Sequence, residues 1–66
     1  MSDQEMHELL VRYVNEQRRL RFRQTREEFV AFVEMQIWCY GGDTTFLIAS
    51  HYGDRLKAAL ADLITD

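Results

Sequence analysis

Apolar residues return at three- and four-residue spacing along most of the chain, and they fall into three runs. In the first, Met6, Leu9, Leu10, Tyr13, Val14 and Leu20 share one helical face, with Gln17 among them. The other positions are largely charged. This predicts a helix from Asp3 to Arg19 or Leu20. Ser2 followed by Glu5 fits a capping box, in which each residue's side chain bonds the other's backbone N–H. Asp3 adds negative charge at the positive end of the helix dipole. Glu8 precedes Arg12 by one turn, a pairing that supports a helix by about 0.2–0.5 kcal/mol.

The central run, Thr25 to Gly42, organises the rest. Thr25 and Glu28 form a second capping-box pattern, and Glu27 adds first-turn negative charge. Gly41 is expected to supply the left-handed residue that ends the helix, and Gly42 disfavours its continuation. At about 100° per residue, Phe29, Val30, Phe32, Val33, Ile37 and Tyr40 occupy one broad arc. Ala31, Met35, Trp38 and Cys39 occupy a second, nearly opposite, with Glu27 and Glu34 marking a narrow polar seam. A helix that is apolar nearly all round is a buried one. Two neighbouring helices in so short a chain cover one arc well and the other only in part. The arc of Ala31, Met35, Trp38 and Cys39 is therefore expected to be a contact surface for a partner protein or a second copy. The plainer alternative is that the third helix wraps round and buries it.

After Gly42, Asp43 or Thr44 is placed to cap a third helix. Phe46, Ala49, Gly53, Leu56, Leu60 and Leu63 follow a regular seam, predicting one helix to about Ile64, either continuous or kinked at Gly53. Alternatively, Gly53 ends a short helix and Asp54 caps a fourth. Thr45–Ala49 has the residues of a strand, but no second strand is available to pair with it. The expected fold is all-α: a single domain over residues 1–66, a small three-helix bundle with antiparallel neighbours.

Size then matters. A chain of 66 residues buries only about 60% of its unfolded surface and needs help to be stable. Disulfides, metal, association or very good packing are the usual sources. One cysteine excludes an internal disulfide, and two histidines far from it leave no zinc-ligand set. Packing and association remain, and a homodimer is expected. The lone cysteine and the lack of an apolar N-terminal run point to a reducing, cytoplasmic setting. No stretch approaches the ~20 apolar residues that cross a bilayer. The net charge of −3 selects no partner. No membrane contact and no cofactor are expected.

The strongest charge feature runs from Arg18 to Arg26. Six of the eight basic residues lie between Arg12 and Arg26, all arginine, opposed within that window only by Glu16. The plain account is that they complement the C-terminal dipole of the first helix and pair with acidic residues elsewhere. The sharper ones are contact with an acidic protein, or with nucleic acid through Arg18, Arg19, Arg21, Arg23 and Arg26 with Phe22 free to stack. A helix-turn-helix over Thr25–Leu63 is disfavoured, because the second helix would open on an apolar face and the arginines precede the unit.

No catalytic constellation emerges. Ser50, His51 and Asp54 are close in sequence, but a triad needs a nucleophile on a sharp turn and an oxyanion hole. His51 is expected at the helix surface, paired with Asp54, and His7 at the border of the first helix's apolar face. Cys39 sits at the wrong helix end for a low-pKa thiol and is expected to act as a small buried hydrophobe. Gln17 and Gln36 fall on apolar arcs, to meet across a seam or stay wet at the rim. The expected function is a non-enzymatic, homodimeric interaction or regulatory module that binds protein through Ala31, Met35, Trp38 and Cys39. The alternative is a nucleic-acid binder.

Overall fold

Both capping boxes form. The computed structural model describes residues 2–39 and 41–65. Helix α1 spans Asp3–Leu20. At its start the Glu5 N–H donates to Ser2 Oγ at 3.2 Å, and the Ser2 N–H donates to the Glu5 carboxylate at 3.0 Å. Helix α2, Arg26–Cys39, opens on the same device. Glu28 N–H donates to Thr25 Oγ1 at 3.2 Å and Thr25 N–H to the Glu28 carboxylate at 2.9 Å. The third helical stretch is in two pieces, α3 (Asp43–Tyr52) and α4 (Leu56–Leu63), joined by a 3₁₀ turn over Gly53–Arg55. The fold is the expected all-α bundle, but the third helix is not one piece to Ile64: Gly53 ends α3, as in the alternative, and Arg55 rather than Asp54 is the N-cap of α4.

The glycines exchange the roles assigned from sequence. Among the described residues only Gly53 has a positive φ. It closes α3 at φ 52°, ψ −129°, donating its N–H to the Ala49 carbonyl. Gly41 does not supply a left-handed cap for α2. Gly42 is extended (φ −80°, ψ 160°) and is itself the N-cap of α3, so neither Asp43 nor Thr44 caps that helix. Asp43 is instead its first helical residue. The Thr45 hydroxyl donates to the Gly42 carbonyl at 2.9 Å, which lets a polar side chain be buried there. Tyr40, placed on the first arc of α2, lies outside the described residues.

Helix α2 packs against α1, α3 and α4 and so forms the centre of the bundle. Phe29, Val30, Val33 and Ile37 face inward from α2. Met6, Leu10 and Val14 from α1, Ile48 from α3, Leu56 and Leu60 from α4, and the following Ile64 close round them. The radius of gyration is 11.0 Å, against about 10.8 Å for a compact chain of this length.

On the first and third apolar runs, two residues expected inside are outside. Leu20 is 67% exposed. The last turns of α1 meet α2 through Arg18, whose guanidinium lies 4.7 Å above the Phe29 ring and takes the covering position. Phe46 is 69% exposed. The buried face of α3 is Thr45 and Ile48, with Ala49 and Tyr52 beside them. The turn at Gly53 resets the helical phase, so a seam read as continuous through Leu56 and Leu60 runs one residue out of step before the turn.

Candidate functional site: an apolar band on the second and third helices

With Phe29, Val33 and Ile37 turned inward, the opposite side of α2 faces outward. Ala31, Met35, Trp38 and Cys39 are all exposed there, Met35 at 57% and Trp38 at 50%. The alternative in which the third helix buries this arc is not what forms. Both pieces of the third stretch pack on α2, and α3 meets it beside Trp38 and Cys39.

That meeting creates a cleft of about 530 Å³. Trp38 and Cys39 wall one side, Phe46 and Ser50 the other, and Gly41 and Gly42 leave its end open. Cys39 also borders a smaller hollow of about 220 Å³, shared with Arg21, Phe32, Met35 and Gln36. The two depressions make one band, running from Phe32 and Met35 through Cys39 and Trp38 to Phe46. Ala31 lies off it, in a separate hollow between α2 and α4 beside Glu34 and Lys57. Phe46 is the member that sequence reasoning missed, because the phase of α3 was misplaced. Cys39 departs from its expected burial. It stands two residues beyond the inward-facing Ile37, about 200° round the helix, and is exposed.

The arginine segment is largely spent within the chain. Arg21 lies 3.8 Å over the Phe32 ring, as Arg18 does over Phe29, and Arg23 covers Phe22 at 5.6 Å. Such stacks hold a guanidinium against a ring face by the ring quadrupole. Arg26 donates through Nε to the Ile64 carbonyl at 2.8 Å and through Nη2 to the Ala61 carbonyl at 2.6 Å. It thereby satisfies carbonyls left unpaired at the C-terminus of α4. Contacts with acidic residues are fewer: Arg19 with Glu16 at 3.5 Å and Arg26 with Glu27 at 4.0 Å. Phe22 stays 71% exposed. Pairing with acidic residues therefore accounts for little of the cluster, and rings and carbonyls for more.

His51 does not pair with Asp54. Its Nε2 lies 3.3 Å from the Asp3 carboxylate at the start of α1, a neighbour that helix-local spacing could not reveal. Asp54 sits within the 3₁₀ turn and His51 turns to Asp3, so Ser50, His51 and Asp54 form no relay. His7 is exposed, as a surface or boundary residue is expected to be. Gln36 Oε1 is buried with no hydrogen-bond partner among the described residues. Two carboxylates are shifted. The bonds from Thr25 hold Glu28 below the usual glutamate range, and those from Ser2 do the same for Glu5. Among the described residues no helix is long and apolar enough to cross a membrane, and no three His, Cys, Asp or Glu side chains gather as a metal site. Comparison with protein-family models, curated proteins and solved structures finds no match to this chain.

Proposed function

We propose that the chain is a non-enzymatic interaction module that associates with protein, itself included, through the outward face of α2. The supporting observation is the exposure of Met35 and Trp38, 57% and 50% respectively, after every helix has packed. Large apolar side chains grouped on one exposed face are typical of binding surfaces rather than of inert ones. A regulator or inhibitor working in the reducing cytoplasm would use such a face, and the lone exposed thiol fits that setting.

Replacing Trp38 by Glu tests this. The side chain is half out of the fold, so the helical circular dichroism should be retained while the assembly separates. Sedimentation should then give the mass of one chain for the variant and a larger mass for the parent, in low and high salt alike. Equal masses for the two would remove Trp38 from any interface.

A second reading, nucleic-acid contact, has in its favour the exposure of Phe22, with Arg23 against it, and of Arg19 on the last turn of α1. It weighs less because Arg18, Arg21 and Arg26 are occupied by rings and carbonyls. Salt separates the two. Phosphate contacts release counterions and weaken steeply with ionic strength, while apolar contacts do not.

A further inference from the structure

We infer that the band is closed by a second copy of this chain across a two-fold axis near Cys39, with Phe46 of each copy seated on the other. This rests on the interaction reading above and names the occupant and its orientation.

A two-fold interface requires one patch to be complementary to itself. This patch carries a projection and a recess side by side. Phe46, 69% exposed, stands at the edge of the cleft that Trp38 and Cys39 wall. Cys39 borders both depressions and so lies at the middle of the band. Rotation about an axis there lays the Phe46 end of one copy over the Met35 end of the other, twice. Charge favours that direction. Asp43 borders the cleft at one end, and Arg21 borders the hollow at the other. The antiparallel arrangement sets Asp43 of each copy near the Arg21 end of the second, whereas a parallel one sets Asp43 against Asp43.

Area agrees. At the exposures of Met35, Trp38 and Phe46, and with roughly 150–250 Å² for an aromatic side chain, the three present about 350 Å² per copy. Two copies contribute about 700 Å² from these side chains alone, against a threshold of about 1,000 Å² for a specific interface. A specific interface therefore needs about 300 Å² more, from the residues around these three.

Cys39, the one cysteine of the sequence, reports on the arrangement directly. A short bis-maleimide should link two chains through Cys39 in high yield, and the urea-unfolded chain, as collision control, should not link. Phe46→Glu should weaken self-association at least tenfold and abolish the cross-link, with the helical signal kept. A dimer by mass that neither cross-links at Cys39 nor responds to Phe46→Glu overturns this docking and leaves the interaction reading standing. A single-chain mass at every concentration overturns self-association outright. If a cross-linked dimer appears only when a different protein is absent, that competitor shares the band and the two-fold contact stands.

Discussion

A Cβ at Gly53 would meet no atom within 4 Å, so space is not what reserves the position for glycine. Its dihedrals are. At φ 52°, ψ −129° the backbone occupies a region that side chains strongly disfavour, at a cost of about 1–3 kcal/mol. Gly53→Ala should lower stability by about that amount, read as a reduced urea midpoint with unchanged slope. No loss would mean that the bend tolerates an ordinary residue and that the third stretch can straighten. Arg26 shows a related limit of reading residues singly. In sequence it belongs to a basic cluster, and in the fold it bonds the Ile64 and Ala61 carbonyls, 38 and 35 residues away. No local spacing carries that information. Similarly, the stacking of Arg18 and Arg21 on Phe29 and Phe32 depends on how α1 crosses α2.

The helices were legible where their signals are local. Ser2 with Glu5 and Thr25 with Glu28 mark the two starts correctly, because a capping box is built within four residues. The inward face of α2 and the outward position of Met35 and Trp38 also follow from periodicity alone. What failed was phase across a break. Leu56 and Leu60 are buried as expected, but the 3₁₀ turn at Gly53 shifts α3, so Ile48 is buried and Phe46 is not. The caps also set a pH dependence. Thr25 holds the Glu28 carboxyl below its ordinary value, and Ser2 does so for Glu5. A carboxylate with a depressed folded-state pKa contributes stability above its unfolded pKa of about 4.3 and loses it as pH falls through the folded value. Unfolding monitored in urea from pH 6 downward should therefore show falling stability below the usual carboxylate range. Glu28→Gln, which cannot ionise, should flatten part of that fall. An acid limb identical in the variant would assign it to other groups.

At the scale of the whole molecule, the chain has one central helix and too few others to surround it. Helices α1, α3 and α4 pack onto the side bearing Phe29, Val33 and Ile37. The third stretch, bent at Gly53, packs on α2 through both its pieces yet leaves Met35, Trp38 and Cys39 uncovered, with Phe46 lining a cleft beside Trp38 and Cys39. For a domain this small, burial gained by association is a large addition to a limited core. The single tryptophan of the sequence sits on the uncovered face, so its own fluorescence tests the account most directly. Emission from Trp38 should be blue-shifted and shielded from acrylamide at high chain concentration, and should move to a red, quenchable state on dilution, with a midpoint that follows the dissociation of the assembly. A water-exposed emission, equally quenchable at every concentration up to the highest attainable, would contradict it.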